Sequence, residues 1–180
     1  MITFLPYPDF KKSASCLDDR RLNKQISEAY TIHNIVSGKR TSGGWIHHPA
    51  TRMWRGYPDA LALYLNACIE EWVTVRKHSH SIQKIHVADE KNVEMPHWFG
   101  DATFHASHRS NLLGKDPEFY GQYGWTEDPF MPYVWPGGKK SVKEENKDKI
   151  NDKEKVKNDE DNEIHTISIK KEDLEKMRKK

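Results

Sequence analysis

The sequence predicts an all-α fold: a compact three-helix domain with Pro- and aromatic-rich connections over residues 1–136, followed by a disordered charged tail over residues 137–180. Three observations predict it. Apolar residues recur at helical steps over residues 22–36, a second run over residues 58–77 is apolar around much of its circumference, and no segment carries a hairpin signal. All nineteen aromatic residues lie at or before Trp135. A segment without aromatics and rich in Lys, Glu, Asp and Asn cannot bury enough apolar surface to offset an ordering entropy of ~1–2 kcal/mol per residue. The core therefore belongs to the head.

Pro6 and Pro8 exclude a helix at the start and send residues 2–10 along an extended or turning path. Ser13 and Ser15 are candidate N-caps for a first helix running to about Val36 and stopping at Gly38. Leu22, Ile26, Ala29, His33 and Val36 recur at steps of four, three, four and three, the core stripe of an amphipathic helix. Glu28 stands roughly 120° from that stripe, toward Arg21, where it can look into a cleft. Residues 38–49 read as a loop. Pro58 is a good first helical residue for a second, central packing helix reaching about Lys77. Residues 78–96 are polar without a period and read as a long loop. Asp101 is the expected N-cap of a third helix from Ala102 to about Gly114, and the aromatic end from Phe119 to Trp135 should wrap back over the helices. In the tail, a low-complexity run reaches about Glu163, and Ile164, Thr166, Ile167 and Ile169 suit a transient strand, a docking segment for an unidentified partner.

Charge is uneven along the head. Residues 1–57 carry nine Lys/Arg against four Asp/Glu (+5), whereas residues 58–136 carry six against eleven (−5). The first third is a candidate phosphate-binding face, with an ordinary solvated surface as the plainer alternative. Cys16 and Cys68 are too few for a disulfide framework and are expected to be reduced thiols in or near the core. No stretch approaches a membrane span and no signal-peptide pattern opens the chain, so the expected compartment is cytosol or nucleus.

Four features carry chemistry: an N-terminal amine led toward a helix, Glu28 beside Arg21, the Trp/Arg-dense stretch from Trp45 to Tyr57, and His105, His108 and Arg109 on the third helix. Each has a plainer reading. Glu28 suits a surface carboxylate, His33 a packed core residue, and Met53, Trp54 and Tyr57 a cover for the core. His105 and His108 with His47 and His48 make only a weak metal set, lacking Cys or a matched carboxylate. No metal and no cofactor is expected.

In order along the chain, however, these features resemble the pyrimidine-dimer DNA glycosylase family, of the phage endonuclease V type. Leu17, Asp18, Asp19, Arg20, Arg21 and Leu22, then five residues to Glu28, resemble the family's first helix, whose glutamate is catalytic. Ser37, Gly38, Lys39 and Arg40 resemble its Gly-Lys-Arg turn, and the likeness continues along the second helix, through Ala106 to Arg109, and into residues 117–124. The strings LPYPDF, HPATRMWRGY, HASHRSNLL and YVWP look like a less characterised branch of small cytoplasmic proteins.

The resemblance implies a DNA-repair glycosylase, with abasic-site lyase activity, that acts on damaged pyrimidines in double-stranded DNA as a monomer. An α-amine, with an ordinary pKa of about 7.7–8.0, keeps an appreciable neutral fraction near pH 7 and can attack the anomeric carbon of a deoxyribose. In the phage enzyme that amine belongs to a threonine exposed by methionine removal. Here residue 2 is isoleucine, too large for usual methionine removal, so the amine is that of Met1. Glu28 takes the part of the glutamate, and Arg109 matches an arginine used against phosphate. Where the family has two basic residues beside its glutamate, this chain has Ser27 and Thr31. Arg20, Arg21, Lys24, Lys39, Arg40, Arg52 and Arg55 are the further candidates for DNA contact, with Trp45 or Trp54 to stack or wedge at an extruded base. Two alternatives differ in class: a non-catalytic nucleic-acid-binding module on the same fold, and a nucleotide-modifying enzyme with a pocket lined by the four histidines.

Overall fold

The computed structural model describes residues 1–138, so the expected tail beyond Gly138 lies outside the described residues. Among the described residues there are helices and no strands, in keeping with the all-α expectation. In chain order they are α1 (Phe10–Ser15), α2 (Asp19–Val36), α3 (Pro49–Met53), α4 (Pro58–Ile69), α5 (Ala102–Lys115) and α6 (Pro117–Tyr120). The three long ones, α2, α4 and α5, correspond to the three expected helices; the short ones were not anticipated.

The first expected helix is two. Ser13 is buried inside α1, and Ser15 is its last residue. The caps are instead aspartates: Asp9 accepts from Lys12 N at 2.8 Å, and Asp18 accepts from Arg21 N at 3.0 Å. Each carboxylate satisfies an orphan N–H of a first turn, and the second starts a new helix after a turn at Cys16 and Leu17. The predicted stripe holds along α2: Leu22, Ile26, Ala29 and His33 are buried, joined by Ile32 and Gln25. It packs mainly against α4, whose Ala60, Leu61, Tyr64, Leu65 and Cys68 are buried as its all-round apolarity required.

Beyond Ile69 the helix widens into a π-helical stretch, Glu70–Val75, and stops where Lys77 takes a left-handed φ of 59°. There Arg76 bonds Glu71 at 3.1 Å, Asp19 at 2.7 Å and the Ser15 carbonyl at 3.1 Å. One guanidinium thus ties the end of this helix to α1 and α2.

The segment before α1 is extended, as the two prolines demand, but it is not at the surface: residues 3–6 are buried. Without a neighbouring strand, its polar groups are satisfied by side chains. Phe4 N donates to Gln25 Oε1 at 2.8 Å, and Tyr64 Oη donates to the Phe4 carbonyl at 2.9 Å. Leu5 is held at both ends by α5. Its N–H donates to His108 Nδ1 at 3.2 Å, and its carbonyl accepts from His105 Nδ1 at 2.7 Å. The Pro6 carbonyl accepts from Arg109 at 2.8 Å. His105, His108 and Arg109 therefore form a clamp on the N-terminal segment.

Trp54 sits at the centre, fully buried, stacked on Tyr64 with ring centroids 6.2 Å apart and donating from Nε1 to Thr3 Oγ1 at 3.0 Å. The polar face of α5 organises the C-terminal wrap. Ser107, Ser110 and Asn111, all buried, bond the backbone at Val134, Met131 and Asp128. Residues 78–96 form the expected long loop, pinned where Asn66 makes two hydrogen bonds to the Ile85 backbone. Cys16 and Cys68 are unpaired and buried, and burial pushes both thiols up to about 12. No helix among the described residues is long and apolar enough to cross a membrane.

Candidate active site

Three parts of the head meet around a cavity of roughly 500 Å³. The N-terminal segment supplies Met1, Ile2 and Phe4; α2 supplies Arg20, Arg21, Lys24, Gln25 and Glu28 from one face; Lys115 and the wrap residues Tyr133 and Trp135 close it. Met1, Glu28, Arg20, Arg21 and Lys24, singled out from the sequence, thus share one cavity. Among the described residues Glu28 is its only acidic lining residue, against four Lys/Arg and the N-terminal residue Met1.

Glu28 is largely sheltered, its side chain 13% exposed, and its carboxylate is oriented. Oε2 accepts from Ile2 N at 2.9 Å, and Oε1 lies 3.7 Å from Lys24 Nζ. Gln25, one turn earlier, fixes the same segment through Phe4 N while accepting from Tyr64 Oη at 2.8 Å. The rigid N-terminal path therefore ends beside the carboxylate.

Arg21 lines the cavity, but its charge is engaged. It donates to Asp18 at 2.6 Å, approaches Asp116 at 3.7 Å, and lies over the Tyr120 ring at 5.5 Å. Burial raises the Asp18 carboxyl, yet hydrogen bonds from Tyr120 (2.6 Å) and Arg21 outweigh it and hold the group below its usual range. Arg109 is turned inward. It bonds Glu127 through Nε at 2.6 Å and the Pro6 carbonyl through the guanidinium's other arm.

Trp54, a candidate for stacking on a base, is corrected by its burial: its ring is in the core. Trp45 is 41% exposed and lies edge-on to His48 at 5.2 Å, and His48 lies edge-on to Trp135 at 6.1 Å. These rings lead from the loop before α3 to the cavity. Lys39, Arg40, Arg52 and Arg55 are exposed but do not line it. Arg40 and Arg55 instead flank a shallow hollow of roughly 370 Å³, with Arg40 bonded to the Ser42 carbonyl and Arg55 to the Ile46 carbonyl.

The histidine-lined pocket does not assemble. His105 and His108 are spent on Leu5, His48 caps α3 by accepting from Ala50 N at 3.1 Å, and none of the four lines the cavity. Among the described residues no cluster of three or more His, Cys, Asp or Glu could hold a metal. Sequence reasoning missed Gln25, Lys115, Tyr133 and Trp135. A signal existed for the last two: in an extended chain, residues two apart face the same side, and the YVWP string places an aromatic at each.

A search of curated proteins and of solved structures finds no match to the chain. The family model for pyrimidine dimer DNA glycosylase matches residues 1–85, a span holding Met1, Glu28 and every cavity residue of α2. Over those residues the chain is similar to the pyrimidine dimer DNA glycosylase family.

Proposed function

We propose that this protein excises damaged pyrimidines from double-stranded DNA and cleaves the resulting abasic site, with the Met1 α-amine as nucleophile and Glu28 as acid/base and electrostatic partner. One observation carries the reading: the amino end of the chain and Glu28 share a basic cavity, joined by the Ile2 N to Glu28 hydrogen bond at 2.9 Å.

The amine lone pair attacks the anomeric carbon of the sugar, and the base departs with the electrons of its glycosidic bond and a proton. Opening of the sugar ring leaves an imine linking Met1 to the sugar. Loss of a proton next to the imine then expels the 3′ phosphate by β-elimination, and water releases the enzyme. Glu28 stabilises the cationic intermediates and moves these protons. Arg20 and Lys24 engage phosphates at the mouth, joined by Lys115. Lys39, Arg40, Arg52 and Arg55 reach flanking phosphates. Trp45 and Trp135 offer stacking surfaces for an extruded base.

A non-catalytic DNA-binding reading draws on a specific feature: the Ile2 amide, not an amine, occupies the carboxylate's close hydrogen bond. Borohydride reduction in the presence of an abasic-site duplex separates the two. Catalysis predicts a covalent adduct that maps to Met1 and is strongly reduced by Glu28→Gln. Salt-sensitive binding with no adduct, unaffected by Glu28→Gln, would establish the binding module instead.

A further inference from the structure

Phe130 is the most exposed large apolar residue among the described ones, at 63%. Its backbone is also out of the ordinary, with a left-handed φ of 61° that glycine adopts freely and a bulky aromatic residue does not. A strained residue persists only where its surroundings hold it, and here they do. Phe130 N donates to the Ser110 carbonyl at 3.4 Å, Met131 N donates to Ser110 Oγ at 2.8 Å, and Asn111 Nδ2 donates to the Met131 carbonyl at 2.7 Å. Ser110 Oγ in turn donates to the Asp128 carbonyl. Pro129 and Pro132 stiffen the turn from either side.

The ring is placed as firmly as the backbone. A Cβ on Gly114 would lie 2.8 Å from three of its carbons, so one face rests on bare backbone near the end of α5. The other face is open. Lys115, the residue after Gly114, and Tyr133, three residues after Phe130, both line the cavity. Three residues span at most ~11 Å, so the open ring stands at the cavity's rim. The turn alone would be served better by glycine. A ring held strained, rigid and exposed beside a basic cavity is suited to contact with another molecule.

We propose that Phe130 is a stacking wedge, which takes on its open face the base next to the extruded nucleotide in the same strand. The proposal rests on the reading of the cavity as a DNA-lesion site. Drawing one nucleotide out of a duplex costs its neighbours their stacking, and an apolar side chain set at that step restores part of it. A ring already fixed has little rotamer freedom left to lose on contact. Stacking on an aromatic ring tolerates every base. Phe130 therefore adds affinity for an opened duplex without choosing the base.

The test measures affinities of the full chain for two duplexes. One carries a single tetrahydrofuran abasic analogue; the other carries three in a row, which removes the neighbouring bases and keeps the phosphates. Wild type is expected to bind the first about tenfold more tightly, by the usual contribution of one base–aromatic stack. Phe130→Gly should bind the two alike and keep or raise the thermal midpoint, because glycine takes the left-handed φ without strain. Phe130→Tyr, which keeps the ring, should keep the preference. Absence of the preference in wild type, its survival in Phe130→Gly, or an equal loss on both duplexes with a lowered midpoint would overturn the proposal, the last by showing that the ring only covers Gly114. If wild type binds neither duplex, the DNA-lesion reading falls with it. Borohydride trapping on abasic DNA reports the Met1 and Glu28 chemistry separately, so a missing wedge and a missing nucleophile give different results.

Discussion

Two carboxylates of the same helix are treated in opposite ways. Asp18, the N-cap of α2, is saturated: it receives Arg21 N, the Arg21 guanidinium and the Tyr120 hydroxyl. Glu28, on the same helix, receives one backbone N–H and a distant lysine, and otherwise faces a cavity. The first arrangement fastens α2 to the C-terminal part of the head. The second leaves lone pairs free for another molecule. A charged group with all its partners inside the fold is architecture; one oriented but incompletely satisfied is available for chemistry.

Four experiments break or sharpen that contrast. Glu28→Gln should lower the rate of adduct formation by about 10²–10⁴-fold, the usual contribution of an acid/base group, while the denaturant midpoint stays in place. Asp18→Ala should do the reverse. It removes a cap and leaves Arg21 half-buried without its main partner, so chemical denaturation should show a loss of about 3 kcal/mol.

Acid tests the clamp. His108 stays neutral in the fold down to about 3, whereas the unfolded chain takes up a proton there near 6.5. Its folded pKa is depressed, so stability is complete above about 6.5 and falls with pH by about 1.4 kcal/mol per unit, or about 2 kcal/mol between pH 7 and 5. His33 and His105, lowered chiefly by burial, act in the same direction. Denaturation series at the two pH values check the sum. The smallest effect belongs to the cavity mouth. Lys24→Ala should reduce the slope of log affinity for DNA against log salt by about 1, whereas Arg109→Ala, whose charge is already matched by Glu127, should leave that slope unchanged and lower the thermal midpoint.

The contrast also explains what was legible in the sequence. The stripe from Leu22 to His33 and the cap at Asp101 are local signals, and the helices follow them. The helices α1, α3 and α6, of six residues or fewer, have no room for a period. The break before α2 hides in a continuous pattern and is revealed only by Asp18 bonding Arg21. Among the site residues, Met1, Arg20, Lys24 and Glu28 are few enough turns apart, or close enough to the chain start, to be gathered by reading along the chain. The inward turn of Arg109 depends on Glu127, eighteen residues on, and the burial of Trp54 depends on Thr3, 51 residues back. Such partners are supplied by the fold and cannot be read from spacing.

The grip on Leu5 comes from residues about a hundred positions further along the polypeptide. Contacts of such separation form late, so the grip on Leu5 closes only after α5 has been made and docked, whereas Ile2 and Phe4 find partners in Glu28 and Gln25 within the first thirty residues.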